Sequence, residues 1–265
     1  MDLANIRDLL IDLDGVLYRG KTPLPGAAEL FGFLRANRIG YLLVTNNSTL
    51  TREAFVERLA SFGITVTPDE VMTSAVATAA HLRTLAPAGT KVNVVGEECL
   101  VQDLQRFGFV MAGRDADLVV AGWDKTVTFE KLKTATLAIR DGATFVGTNP
   151  DKTYPMENDI IPGAGSILAA LVAATDVEPV IVGKPEPIII QRCLDMLDAS
   201  AGETAILGDR LDTDILGGQR AGIGTILVLT GISTREEAAA WNPPPDLVVN
   251  SIPDLLERWR AEIEG

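Results

Sequence analysis

Short apolar runs alternate with amphipathic stretches along nearly the whole chain. The runs are "LLIDL" (9–13), "GYLLVT" (40–45), "KVNVVG" (91–96), "DLVVAG" (117–122), "ATFVGT" (143–148), "PVIVG" (179–183), "TAILG" (204–208), "TILVLT" (225–230) and "DLVV" (246–249). Most lack period-two alternation, which predicts strands covered on both faces. Helical patterns lie between them. "TREAFVERLASFG" (51–63) places Phe55, Leu59 and Phe62 at i, i+4 and i+7, behind a capping Thr51 and ahead of Gly63. "EECLVQDLQRFG" (97–108), "TFEKLKTATLAIRDG" (128–142), "PEPIIIQRCLDMLD" (185–198) and "DTDILGGQRAG" (212–222) read the same way. The alternation predicts an α/β protein with a doubly wound, mainly parallel sheet.

Two aspartates break the first strand. Asp12 and Asp14 stand two residues apart, so both project to one side of an extended chain, and Gly15 lets the backbone turn away. Two carboxylates that close repel unless a cation compensates or one holds a proton. The plain alternative is one Asp capping a turn and the other facing solvent. Further strand ends carry chemistry too. Thr45 and Asn46 end "LLVTN", where a hydroxyl and free backbone N–H groups suit a phosphate. Lys184 follows "IVG", and Asp209 follows "AILG" with Asp214 five residues on. Singly, Lys184 reads as a solvated lysine and Asp214 as a helix cap. In an open parallel sheet the carboxyl ends converge on one crevice, and together these residues make a divalent-metal site facing a phosphate site.

Composition narrows the partners. The 265 residues carry a formal charge of −13, with a pI near 4.5. Such a surface repels nucleic acid and anionic membranes, so neither is expected as a partner, and an anionic substrate needs a local cation. The longest apolar helical stretch, "ILAALVAA" (167–174), is too short to span a bilayer. Cys99 and Cys193 are far apart, with no framework of closely spaced pairs, and no signal peptide is read at the N-terminus. A cytoplasmic protein is the simpler expectation.

With these residues in place, the chain resembles the haloacid dehalogenase (HAD) superfamily, whose four signatures read here as "DLDGVLY" (12–18), "TNN" (45–47), "GKPEP" (183–187) and "GDRLDTD" (208–214). It is most similar to the NagD-type and p-nitrophenylphosphatase-like members with a large α/β cap. Spacing supports an insertion independently. The 33 residues from Asp12 to Thr45 fit one helix and one strand, whereas the 139 from Thr45 to Lys184 exceed any single crossover and contain three strand-like runs. The expected layout is a Rossmann-like core of residues 1–80 and 180–265 with an inserted α/β cap domain, 81–179.

The resemblance implies a Mg²⁺-dependent phosphatase acting on a small phosphorylated metabolite such as a sugar phosphate, nucleoside monophosphate, phosphoglycolate or p-nitrophenyl phosphate. Asp12 would be the nucleophile that forms an aspartyl phosphate and Asp14 the general acid and base. Mg²⁺ would lie between Asp12, the Asp14 carbonyl and Asp209, with Asp214 behind it. Thr45, Asn46 and Lys184 would hold the phosphoryl oxygens. A homodimer formed through the cap is an expectation by analogy alone. Leaving-group choice is expected in "GTNPDKTYPMENDIIPGAGS" (147–166), where Asn149, Asp151 and Lys152 follow a cap strand, although Asn149-Pro150-Asp151 also reads as a simple turn. "GAGS" (163–166) reads as a helix entry rather than a dinucleotide loop. His81, the single histidine, and both cysteines read as structural.

Two alternatives share this chemistry. A phosphomutase returns the phosphoryl group to substrate, and a phospho-aspartate receiver keeps it as a signal. Receivers are about half this length and lack both the DxD pair and the insertion. A dehalogenase has no need of Asp14.

Overall fold

The structure is a computed structural model that describes residues 1–155 and 159–264. The chain forms two compact units. One comprises Met1–Val44, Arg52–Met72 and the chain from Lys184 onward; the other comprises Thr45–Thr51 and Thr73–Gly183.

The first unit holds a six-stranded sheet in the order Leu247–Val249, Gly224–Val228, Thr204–Gly208, Asp8–Ile11, Gly40–Thr45, Val71–Thr73. Leu10 pairs in parallel with Ile206 on one side and Leu42 on the other. Leu9, Leu10 and Ile11 are wholly buried, as a run apolar on both faces requires. From Asp8–Ile11 the chain builds outward to one edge, then resumes on the opposite side at Thr204–Gly208. Strand order therefore reverses between these two neighbours, and the crevice beyond their carboxyl ends is where open α/β sheets bind ligands. Among the flanking helices, Arg52–Ala60 buries Phe55 and Leu59 one turn apart, and Ile252–Glu264 meets Ala27–Ala36 where Trp259 packs on Phe33, ring centroids 5.4 Å apart.

The helix expected over 212–222 begins differently. Leu211–Ile215 is wound as a π turn and only Leu216–Ala221 is α-helical. Ile215 N donates to the Arg210 carbonyl at 3.1 Å, and the Asp214 carboxylate accepts from Arg210 N, also at 3.1 Å. The wider turn aims Asp214 back at the strand it follows. A side chain at Gly208 would collide with Asp214. Single π turns of this kind often accompany functional sites.

The second unit has a five-stranded parallel sheet in the order Val180–Ile181, Thr144–Gly147, Leu118–Ala121, Lys91–Val95, Val110–Met111. Phe129–Arg140 and Ala164–Thr175 cover it, with Ala135, Ala138, Ile139, Leu168 and Leu171 packed among Val95, Val119, Ala121 and Phe145. Ala164–Thr175 starts behind Gly163, so "GAGS" is a helix entry. The run 179–183 was expected beside the first-unit strands. Instead Val180 and Ile181 form a two-residue edge strand paired with Val146 and Gly147, because a short apolar run carries no mark of which sheet accepts it. An antiparallel hairpin, Thr153–Pro155 with Ile160–Pro162, follows Thr144–Gly147. Met156, Glu157 and Asn158, part of the stretch expected to choose the leaving group, lie outside the described residues. No described helix is long and apolar enough to cross a membrane.

Candidate active site

Asp12 follows the central strand directly, and its N–H still donates to the Leu207 carbonyl at 2.9 Å. The backbone therefore stays in the sheet while the carboxylate reaches the crevice floor. Gly15 then adopts φ +83°, and its N–H donates to the Tyr18 carbonyl at 2.8 Å to close the turn that carries Asp14. Only glycine adopts that conformation cheaply, and a Cβ there would also strike the Asp209 carboxylate.

Lys184 organises the floor. Although only 2% exposed, its Nζ donates to Asp12 Oδ1 and Asp214 Oδ1, both at 2.6 Å, and to the Val44 carbonyl at 3.0 Å. All three ammonium protons are thus used. Burial disfavours its charge, but Asp12 and then Asp214 outweigh burial and hold its pKa above the ordinary lysine value. Asp209 ends the neighbouring strand. Burial, and next the charge of Asp214, push its pKa up to about 7, against the opposing hydrogen bond from Ile232 N. Burial likewise raises Asp12, with Lys184 as the main opposing influence. Asp14 is exposed, yet the chain packed around it raises its pKa, with Arg58 as the main opposing influence. The Arg58 guanidinium itself lies 4.5 Å from the Tyr18 ring centre.

Asp12, Lys184, Asp209 and Asp214 are thus brought together within the first unit. Thr45 and Asn46 continue from Val44 but belong to the second. There the Asn46 amide donates to Asp151 Oδ2 at 3.1 Å, and its carbonyl accepts from Ser74 Oγ at 2.7 Å and from Asn149 Nδ2 at 2.9 Å. Lys152 is exposed, and its carbonyl accepts from Gly163 N and Ser166 Oγ. Several contributors are unannounced in the sequence. Arg58 influences Asp14 from a helix face, and the loop at Gly231 and Ile232 closes on Asp209, whose Oδ2 accepts from Ile232 N at 2.8 Å. A side chain at Gly231 would overlap the Asp209 carboxylate. The available signal is that "LTGI" sits at yet another strand end of the first sheet.

The model of the haloacid dehalogenase-like hydrolases matches residues 9–110, and a second, HAD-hydrolase-like model matches 181–255. Acid sugar phosphatases from Staphylococcus aureus (strain USA300) and Staphylococcus saprophyticus are 43% and 40% identical over 256 residues. Those alignments cover 96% of this chain and 97–98% of the relatives. The chain belongs to the haloacid dehalogenase-like hydrolases. Among solved structures, p-nitrophenyl phosphatase from Archaeoglobus fulgidus superposes with a TM-score of 0.90 at 37% identity, covering 96% of this chain and 99% of that one. The 4-nitrophenylphosphatase from Thermotoga maritima gives 0.92 at 34%, covering 97% and 98%.

Haloacid dehalogenase-like phosphatases use a divalent metal, and the acidic cluster here suits one. Oxygens of Asp12, Asp209 and Asp214 lie within 4.8 Å of one another. Three carboxylates against one ammonium leave two negative charges uncompensated when all are ionised, which a divalent ion balances. Asp209 Oδ1 is buried and, among the described residues, has no hydrogen-bond partner. Asp214 is committed differently, with one oxygen on Lys184 and the other on Arg210 N. That fits a supporting position better than direct ligation. In this haloacid dehalogenase-like hydrolase both cysteines are free and buried. Burial pushes the Cys99 thiol up to about 11 and Cys193 also upward, so neither is a nucleophile at neutral pH.

Proposed function

We propose that this chain is a Mg²⁺-dependent phosphomonoesterase working through an aspartyl phosphate, with sugar phosphates as the first substrate class to test and the cytoplasm as its setting. The observation that carries the reading is the buried Asp12–Lys184–Asp214 bridge beside Asp209, whose buried Oδ1 has no hydrogen-bond partner among the described residues. The relatives' activity on sugar phosphates and p-nitrophenyl phosphate supports the substrate class.

Lys184 holds Asp12 by one oxygen and keeps it fixed at the end of the strand. A carboxylate oxygen of Asp12 attacks phosphorus as the bond to the leaving oxygen breaks. Asp14, whose raised pKa favours its acid form, gives that oxygen its proton. It then takes a proton from water, whose oxygen bonds to phosphorus as the Asp12–phosphorus bond breaks and inorganic phosphate departs. Thr45 and Asn46 stabilise the phosphoryl oxygens as donors, and Lys184 does so through its charge, its protons remaining on Asp12, Asp214 and the Val44 carbonyl. Asp12, Asp209 and the Asp14 carbonyl would hold the metal, which when bound neutralises charge on the carboxylate and phosphoryl oxygens.

A phosphate-release screen across phosphorylated metabolites, with and without Mg²⁺, tests this reading. Isomerised product without free phosphate would instead identify a mutase. In the same screen Asp14→Asn is expected to slow sugar phosphates about a hundredfold or more. It should slow p-nitrophenyl phosphate far less, because that leaving group needs little proton donation. Equal losses on both would remove Asp14 from the acid role.

Metal binding should depend on pH. Without metal, burial lets Asp209 keep its proton up to about pH 7 in the fold, whereas the unfolded chain releases it near the ordinary aspartate value of about 3.9. Stability held below that lower value is therefore lost as pH rises through 7. Mg²⁺ offsets the loss, so the melting-temperature gap between Mg²⁺ and a chelator should widen from pH 5 to pH 8. Below pH 7 the apparent Mg²⁺ affinity should fall about tenfold per unit. A gap independent of pH would rule out Asp209 as the titrating ligand.

A further inference from the structure

We infer that Asn149 and Asp151 are positioning residues that set the loop 45–49 before substrate arrives. This rests on the reading that Thr45 and Asn46 hold the phosphoryl group. It assigns the "TNPD" turn to the phosphate end of the substrate rather than to the leaving group.

The hydrogen bonding of the turn carries the inference. Asn149 is 4% exposed. Its Nδ2 donates to the Asn46 carbonyl at 2.9 Å and to Thr148 Oγ1 at 3.3 Å, and its Oδ1 accepts from Asp151 N at 3.2 Å. Both amide protons and the amide oxygen are thereby engaged within the protein. Ser74 Oγ supplies a second donor to the Asn46 carbonyl at 2.7 Å, filling its two acceptor sites. Asp151 accepts the Asn46 side-chain amide, so backbone and side chain of residue 46 are gripped from the same turn.

The turn is itself clamped. The Asp151 carbonyl accepts from Gly165 N at 2.8 Å, and the Lys152 carbonyl accepts from Gly163 N at 2.9 Å and Ser166 Oγ at 2.7 Å. Gly183 has no space for a side chain, because a Cβ would lie 2.6 Å from both Asn46 Oδ1 and the Thr148 carbonyl. Further along the loop, Asn47 Oδ1 accepts from Thr49 N and Oγ1, and the Ser48 carbonyl accepts the Cys99 thiol at 2.9 Å. A chain of contacts thus runs from the start of Ala164–Thr175 through residues 149–152 to Asn46. Donors fixed in this way need no reorganisation when the phosphoryl charge moves.

The test compares Asn149→Asp, Asp151→Ala, Asp151→Asn and Ser74→Ala with wild type. The readouts are competitive inhibition by inorganic phosphate, kcat/KM for p-nitrophenyl phosphate and a sugar phosphate, and amide exchange over 45–49. Asn149→Asp and Asp151→Ala should weaken phosphate inhibition about tenfold, lower kcat/KM by the same factor for both substrates, and speed exchange in the loop. Asp151→Asn, which still offers an oxygen to the Asn46 amide, should restore most of the loss. Unequal losses between substrates with unchanged phosphate inhibition would show a leaving-group contact and overturn the inference, as would wild-type values throughout. If Asn149→Asp does not fold, Ser74→Ala removes the other donor to the same carbonyl and must show the same pattern. Failure of the wild type to release phosphate would defeat the phosphatase reading and this inference with it, whereas active wild type with indifferent variants defeats this inference alone.

Discussion

Asp12→Asn is expected to lower turnover by more than about a thousandfold while the protein stays folded. An amide at this position retains an oxygen for Lys184 Nζ but cannot attack phosphorus. The substitution also removes one negative charge from a floor where three carboxylates face one ammonium. Burial already raises the Asp12 pKa, so the neutral side chain should leave the metal-free melting temperature unchanged or higher. Initial rates together with thermal melts check both halves. Near-normal rates would exclude the covalent route, and lost activity through unfolding would make the result structural.

Lys184→Met should have the largest effect on stability. The ammonium is hydrogen-bonded to both Asp12 and Asp214, and all three residues are buried. Removing one member of such a buried group typically costs about 3–5 kcal/mol, because the buried carboxylates left behind lose the cation they share. The pH dependence follows from the sign of the shifts. Burial raises the Asp12 pKa and Lys184 is the main influence opposing it, so without the lysine Asp12 binds its proton still more tightly in the fold than in the unfolded chain. Stability present below the unfolded carboxyl pKa is therefore lost as pH rises through the higher folded value of Asp12. Melts from pH 5 to pH 8 should show the variant falling progressively behind wild type, with added Mg²⁺ recovering part of the difference. A constant deficit across that range would mean that packing of the lysine stem, not charge, dominates.

The parallel core was legible because its strands are apolar on both faces and its helices carry clear periodicity. Leu9 to Ile11 and the Phe55–Leu59 pair are cases where burial alone dictates the pattern. The meeting of Asp12 with Asp209 and Asp214 was legible for a different reason. Strand ends of one parallel sheet converge, so polar residues placed there meet whatever lies between them in sequence. Lys184 joins them, but from just beyond an edge strand of the second sheet, so the strand-end argument does not account for its place. The π turn at Leu211–Ile215 was not legible, since an α helix and a π turn share nearly the same composition, and the carboxylate of Asp214 decides between them from across the turn. Nor does anything in "TNNSTLT" disclose that residues 45–51 pack with the second unit. That allegiance is fixed by partners at Ser74, Cys99, Asn149 and Asp151, none of which is local. The edge strand Val180–Ile181 was misassigned for the same reason, because pairing is a long-range choice.

The membership of residues 45–51 bears on how the protein can be cut and recombined. Met72 and Lys184 look like natural splice points for discarding the insertion or grafting another in its place. The seven residues left behind would then lose the hydroxyl of Ser74, the thiol of Cys99 and the side chains of Asn149 and Asp151 in one step. An insertion transplanted as 73–183 would arrive without the segment that it grips. The heritable cassette is therefore discontinuous, and exchanges between relatives should succeed only when 45–51 travels with the insertion.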